Sequence, residues 1–372
     1  MKLYREFGIL GSGQLGRMFT QAASNLGVNV TTYSPEINSP ASKAGAREIV
    51  GDYLDKDKLY FFLSNIEALS FEFENIPEDT LNWIYEYSLE KNLFVAPSPK
   101  SILISQHRVK EKTFFQNIGL STTDFFPITS WSELQNLPTN WIFPCILKTN
   151  TLGYDGKGQW KVQSKLDLEN ILQTQEKIDH ILEKIISFEK EISVIVARFL
   201  DGSVYCYPPS ENIHTNHILD ISIHPAEIPN NIKNLAMEYA TTLVQKLNYV
   251  GVLGLEMFWT GEKLLCNEFA PRPHNSGHYT LDGANFSQFD LQVRTLLNVK
   301  PLEPLITFPT VMKNIIGANF FKNENLKENY IANPLYKLYL YQKQEAKPGR
   351  KMGHINFKGS FLDSKFQIGQ EW

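Results

Sequence analysis

The sequence has little cysteine, three in 372 residues, and no two of them are close together. Cys145, Cys206 and Cys266 each sit in an apolar run, which argues against a disulfide frame or a cysteine metal site and for buried thiols in a reducing compartment. Charge of neither sign dominates. Lys and Arg number 36 against 40 Asp and Glu, net −4, with no long basic run, so a nucleic-acid surface is not expected although a small anionic ligand is. No apolar stretch approaches the roughly 20 residues of a membrane span, and Met1 to Gly16 is too glycine-interrupted for a signal peptide. Internal repeats and low-complexity segments are missing as well. The expectation is a cytoplasmic protein with no membrane or nucleic-acid partner. Its 42% apolar and 20% charged residues are ordinary for a globular chain, and its length predicts two or three domains around a shared cleft.

Apolar strands alternate with amphipathic helices over the first 100 residues. Strands are expected at Phe7–Leu10, Val28–Tyr33, Ala68–Phe71 and Leu93–Ala96, with helices after Gly16 and over Asp55–Ser64 and Glu78–Leu89. That order implies a parallel sheet covered by helices. Pro97 and Pro99 close the unit, and residues 1–100 are taken as the first domain. Residues 101–186 read as a mixed α+β unit with a helix over Arg108–Ile118 and strands at Phe143–Thr149 and Gln159–Val162. Residues 187–300 carry longer strands, Glu191–Phe199, Gly251–Trp259 and Lys263–Phe269, and a helix over Ile232–Leu247, which suit one large antiparallel layer. Residues 301–372 add short strands at Lys337–Tyr341 and His354–Phe357 around the basic turn Lys347 to Lys351.

Four clusters carry chemistry. Gly11-Ser12-Gly13-Gln14-Leu15-Gly16 matches G-x-G-x-x-G between a strand and a helix, with Glu36 further on. Such a turn presents backbone N–H groups to an anion; taken alone it would point to a dinucleotide, but any phosphate, or plain tight packing, satisfies it equally. Lys148 ends an apolar strand, and Gly153-Tyr154-Asp155-Gly156-Lys157-Gly158-Gln159 follows. Three glycines in that loop let N–H groups fold over phosphate oxygens while Lys148 neutralises them; the spacing is not that of a Walker loop, and an ordinary hairpin turn is the plain alternative.

The third cluster is a pair of acids, Glu256 and Glu268. A hairpin turn over Trp259–Lys263 would place them nearly opposite each other, a repulsive arrangement without a cation. With Asn267 they form a hard-oxygen site suited to Mg²⁺ shared with phosphates, solvated strand glutamates being the alternative. The fourth is the loop Pro271-Arg272-Pro273-His274-Asn275-Ser276-Gly277-His278, where Arg272 can hold a planar anion bidentately and Asn275 adds neutral donors.

These motifs, with Phe71-Glu72-Phe73-Glu74-Asn75, Gln106-His107-Arg108, Glu183-Lys184, Asn212-Ile213-His214 and Lys347-Pro348-Gly349-Arg350-Lys351-Met352-Gly353-His354, run over nearly the whole chain. Together they resemble the ATP-grasp superfamily, and within it the 5-(carboxyamino)imidazole ribonucleotide synthases. The resemblance implies an N-terminal Rossmann-like domain, a small lid domain, a large antiparallel-sheet domain with the metal site and a C-terminal subdomain packing on it. It implies that Arg108, Lys148 and Gly153 to Gln159 contact ATP phosphates, that Glu183, Lys184, Ile185 and Ile186 line the adenine, and that Glu191 takes the ribose. His214, Asn267 and Glu268 complete the nucleotide contacts, and Glu256 and Glu268 are the metal ligands. The ribonucleotide phosphate is expected between Gln14 and Leu15 and the cationic Lys343, Arg350 and Lys351, with Tyr154 and His278 also on the substrate. Glu74, rather than Glu72, is expected to touch the amine.

By the same resemblance the activity is ligation: Mg²⁺ (or Mn²⁺) and ATP join bicarbonate to aminoimidazole ribonucleotide through carboxyphosphate, with Asp155, Lys157, Arg272 and Asn275 as catalytic residues. Asp155 is expected to position or deprotonate the amine. The chain is expected to be a homodimer that passes its product to a separate mutase. His107 stands where the family often has an acid. A formate-using glycinamide ribonucleotide transformylase, an NAD-linked reductase and a non-catalytic ATP-binding module are the rival readings; the reductase would leave Glu256 and Glu268 unexplained.

Overall fold

The computed structural model describes residues 5–153, 157–303 and 305–364. Strand Arg5–Leu10 leads into helix Gln14–Ser24, whose Leu15, Met18, Phe19, Ala22 and Ala23 are buried at helical spacing, and the chain turns through Gly27 at positive φ. Five parallel strands follow the order Arg47–Val50, Val28–Ser34, Arg5–Leu10, Ala68–Phe71, Phe94–Val95. Arg47–Val50 was not anticipated: Arg-Glu-Ile-Val is half charged, as an edge strand can be.

A second, antiparallel sheet orders Phe125–Ile128, His180–Lys184, Cys145–Thr149 and Gln159–Val162. Leu134, Leu168 and Leu172 from two short helices close its core against Ile128, Leu147 and Leu182. Strands Cys145–Thr149 and Gln159–Val162 pair antiparallel, with Lys148 opposite Gln159.

The large sheet runs Leu264–Ala270, Gly251–Trp259, Lys190–Arg198, Ser210–Thr215, Ile218–His224, Thr310–Ile316, Lys351–Lys358, Tyr336–Leu340, with Val204–Cys206 also on Lys190–Arg198. It is antiparallel throughout. Helix Asn230–Lys246 covers one face through Ala236, Ala240, Leu243 and Val244. Helix Gln288–Leu297 joins this sheet to the first: its Phe289, Val293 and Leu296 pack among Phe7 and Phe19. The strands beyond residue 301 continue the large sheet instead of forming a layer of their own. Thr310–Ile316 escapes sequence reading because Lys313 and Asn314 interrupt its apolar run; both are buried, Lys313 on Asp220 at 2.9 Å and Asn314 on the Leu219 carbonyl at 2.8 Å. The cysteines are unpaired. Among the described residues no helix is long and apolar enough to cross a membrane.

Candidate active site

The hairpin Gly251–Trp259 and Leu264–Ala270 sets Glu256 directly opposite Glu268, next to a register shift. Each carboxylate has a side-chain partner from elsewhere: His274 Nε2 lies 2.9 Å from Glu256, and Arg108 Nη1 donates to Glu268 at 3.0 Å. Burial would raise the Glu256 carboxyl, but His274, His214 and Lys351 outweigh it and hold it well below the usual range. Glu191, one strand over, lies 2.8 Å from His214 Nδ1, and the ligating atoms of Glu191, His214 and Glu256 all fall within 4.8 Å of one another. Burial opposes the His214 charge, while Glu191 and Glu256 raise its pKa on balance. Two opposed carboxylates beside a third form an oxygen-rich set that suits a hard divalent ion.

Facing the hairpin is the end of the small sheet. Lys148 Nζ donates to Glu183 at 3.2 Å, and Lys112, missed in the sequence, approaches the same oxygen at 3.4 Å. Burial alone would push Glu183 up, but Lys112, Lys148 and Arg108 bring it down to about 2. Burial lowers Lys148, against the pull of Glu183. Arg108 also donates to the Gly153 carbonyl at 3.3 Å, which ties Gly153 to the Glu268 side of the hairpin. Lys184 pairs with Asp124 at 2.7 Å, and exposed Ile185 and half-buried Ile186 begin the connection to strand Lys190–Arg198. Lys157, Gly158 and Gln159 lie on the returning side of the hairpin, and Asn267 sits between Cys266 and Glu268 on strand Leu264–Ala270. Tyr154, Asp155 and Gly156 lie outside the described residues.

A cavity of about 320 Å³ is lined by Gly13, Gln14, Leu15, Glu36, Pro40 and Glu72 on the N-terminal side. Arg272, His274, Asn275, Lys343, Arg350 and Lys351 line it from the large-sheet side. Lys343 donates to Gln14 Oε1 at 2.9 Å, and burial with Arg350 nearby lowers it to about 8. Asn275, only 7% exposed, has neither amide atom hydrogen-bonded among the described residues. A buried amide with no partner among those residues, on the wall of a cationic cavity, is poised for a ligand.

The geometry bears on four of the sequence expectations. The glycine-turn amides do not face an open anion site: Glu72 accepts from Gly13 N–H at 2.6 Å and from Gly16 N–H at 3.0 Å. That internal carboxylate takes the place a dinucleotide pyrophosphate would need. Burial outweighs the two amides and raises Glu72 to about 7. Glu72, not Glu74, therefore lines the cavity, because both Glu74 oxygens are held by Arg272, Nε at 2.6 Å and Nη2 at 3.0 Å. The same fork leaves Arg272 engaged with a protein carboxylate, so a bidentate hold on bicarbonate would require breaking it. His278 is fully buried, bonded to Gln288 and tilted against His354 with ring centroids 4.8 Å apart; burial drives its pKa far down, and it is a core residue outside the cavity.

Residues 113–289 match the ATP-grasp domain family, residues 4–106 the ribonucleotide synthetase preATP-grasp domain and residues 310–365 the phosphoribosylaminoimidazole carboxylase C-terminal domain. The N5-carboxyaminoimidazole ribonucleotide synthase of Bacillus subtilis is 37% identical over 371 residues, 98% of this chain and 94% of its own. The chain belongs to the N5-carboxyaminoimidazole ribonucleotide synthase family. An ADP complex of a synthetase of this family superposes with a TM-score of 0.87 at 36% identity, covering 95% of this chain and 92% of the other. The Aspergillus clavatus N5-carboxyaminoimidazole synthase in complex with ADP and 5-aminoimidazole ribonucleotide gives 0.86 at 29%, covering 97% and 95%. As a member of the synthase family the chain is an ATP-binding ATP-grasp ligase of purine biosynthesis, with the expected α/β and α+β fold.

Sequence reading missed Glu111, Lys112 and Thr123. One signal was available: Arg108, Glu111 and Lys112 fall at i, i+3 and i+4, so the helix directs three ionisable groups to one side. Glu111 and Lys112 are 2% and 1% exposed, a depth at which ionisable groups almost always have partners.

Proposed function

We propose that the chain carboxylates the amine of 5-aminoimidazole ribonucleotide with bicarbonate at the expense of ATP, by way of carboxyphosphate. One observation carries this reading. The short loop after strand Leu264–Ala270 serves both the acidic cluster and the cavity, with His274 on the carboxylate Glu256 and with Arg272, His274 and Asn275 on the cationic cavity wall. An anion activated at the first site is therefore within a few residues of a nucleophile held at the second.

Glu256 and Glu268 would hold Mg²⁺, with Mn²⁺ as a substitute; when bound, the ion neutralises charge on the transferring phosphoryl group. Lys148 and Arg108 hold phosphate oxygens, and Glu191 and His214 the remainder of the nucleotide. A bicarbonate oxygen attacks the γ-phosphorus in line as the bridging bond to ADP breaks, giving carboxyphosphate. The amine nitrogen then bonds to the carbonyl carbon, phosphate leaves, and the amine proton passes to Asp155. Arg350, Lys351 and Lys343 hold the ribonucleotide phosphate, Gln14 and the Leu15 end of the helix close the site on the other side, and Glu72 faces the ribose or the amine. Asn275 donates to the bicarbonate or its phosphorylated form. Tyr154, Lys157 and the rest of the glycine loop exclude water. The working form would be a homodimer that delivers the carbamate to a separate mutase.

The test is ADP release by the purified protein with Mg²⁺ and ATP, adding bicarbonate, formate, aminoimidazole ribonucleotide and glycinamide ribonucleotide in turn. Turnover should need bicarbonate and aminoimidazole ribonucleotide together. Turnover with formate and glycinamide ribonucleotide instead would overturn the substrate assignment, and no turnover with any pair would contradict the proposal as a whole.

A further inference from the structure

The strand Leu264–Ala270 lies at the edge of the large sheet; its outer edge meets one isolated backbone bridge, with Cys266 N–H donating to the Ser121 carbonyl at 2.7 Å, and beyond that bridge it is held by side chains. Successive residues on it are gripped by one helix, Arg108–Asn117. Lys112 Nζ donates to the Asn267 carbonyl at 3.3 Å, Arg108 to the Glu268 carboxylate at 3.0 Å, and Glu111 Oε1 accepts the Phe269 N–H at 2.7 Å. Lys112 also reaches Thr123 Oγ1 at 2.9 Å and Glu183 Oε2 at 3.4 Å, and Thr123 donates to the same Glu183 oxygen at 3.2 Å. Glu183 in turn holds Lys148. A single buried ammonium thus bridges the backbone beside Glu268 and the carboxylate that orients Lys148 on the small sheet.

We propose that Lys112 is a positioning residue that sets the Glu268 carboxylate for the metal–nucleotide complex and couples it to Lys148, with Glu111 fixing the strand on the far side. This deepens the ATP-dependent reading above and rests on it for the role of Glu268. A side chain that is 1% exposed and bonded to both sheets cannot touch substrate, so its effect must travel through Asn267–Glu268 and Glu183–Lys148. Partners that orient metal ligands change metal affinity or activity by about 10–100-fold when removed.

The experiment is binding of a fluorescent ADP analogue to the full chain across a Mg²⁺ titration, with thermal melting as the folding control. Lys112→Met should raise the half-saturating Mg²⁺ concentration about tenfold or more, while affinity for the analogue without Mg²⁺ changes much less. Thr123→Val should move it in the same direction by a smaller factor. Glu111→Gln, which keeps the acceptor for Phe269, should stay near wild type, whereas Glu111→Leu should not. A folded Lys112→Met protein with the wild-type Mg²⁺ dependence, or with equal loss with and without Mg²⁺, overturns the proposal. If Lys112→Met does not fold, unchanged Mg²⁺ dependence in both Thr123→Val and Glu111→Leu overturns it. Because the readout needs only ADP and Mg²⁺, failure of bicarbonate and aminoimidazole ribonucleotide as substrates would leave this result interpretable by itself.

Discussion

A cavity and an acidic cluster meet at the loop after strand Leu264–Ala270, and they handle negative charge in opposite ways. The N-terminal cavity has Lys343, Arg350 and Lys351 on its wall, cations that can hold a phosphate directly. The hairpin cleft gathers Glu191, Glu256 and Glu268, anions that repel a phosphate unless a divalent cation stands between them. On the proposed function the difference means that both bind anions but only the acidic side does so through a metal. It follows that removing a charge should have opposite kinetic signatures on the two sides.

The largest effect is expected on the acidic side. Glu268→Gln or Glu256→Gln should lower kcat by about 10²–10³-fold and make activity demand far more Mg²⁺, measured as ADP release across a metal titration. A variant with unchanged Mg²⁺ dependence would break the comparison. Next comes Arg350→Ala. Losing a hydrogen bond to a charged group costs about 1.5–3 kcal/mol, so KM for the ribonucleotide should rise about ten- to a hundredfold, with the Mg²⁺ dependence untouched.

Glu72 gives a test by pH. Its carboxyl rises from 4.5 to about 7, burial being the main cause and Glu36 adding to it, while Lys343 and the Gly13 and Gly16 amides pull the other way. An acid with a raised folded pKa favours the native state while protonated, so stability is lost as pH rises from about 4.5 to about 7 and is flat beyond. Glu72→Gln keeps an acceptor for both amides and should therefore gain melting temperature on wild type between about pH 5 and about pH 8. A constant difference would contradict the assignment. The smallest effect is expected at Lys347, in the same basic turn but paired with Glu345 at 2.9 Å on the surface. Lys347→Ala should change KM for the ribonucleotide by less than about twofold, which would separate the cavity-lining cations from their neighbours.

Much of this was legible in the sequence. The opposition of Glu256 and Glu268 was expected from a hairpin centred near Glu262, but the pairs nearer the turn, such as Met257 with Cys266, would set Glu256 opposite Asn267, and it is the register shift beside Glu256 that brings Glu268 across. The first parallel sheet followed from strand and helix periodicity, apart from the charged edge Arg47–Val50. What was not legible depends on partners distant in the chain. Nothing local says that Glu72 fills the glycine turn, that Arg272 is already matched to Glu74, or that His278 points into a core beside His354. Lys112 drew no reading from the sequence, and only its contacts with Asn267 and Glu183 reveal its place.

The most direct measurement of the central claim uses bicarbonate labelled with ¹⁸O, with unlabelled ATP, Mg²⁺ and aminoimidazole ribonucleotide. If bicarbonate is phosphorylated in the acidic cleft before its carbon reaches the amine in the cationic cavity, one labelled oxygen should appear in the phosphate released. Phosphate without label, during turnover that still consumes bicarbonate, would contradict the account.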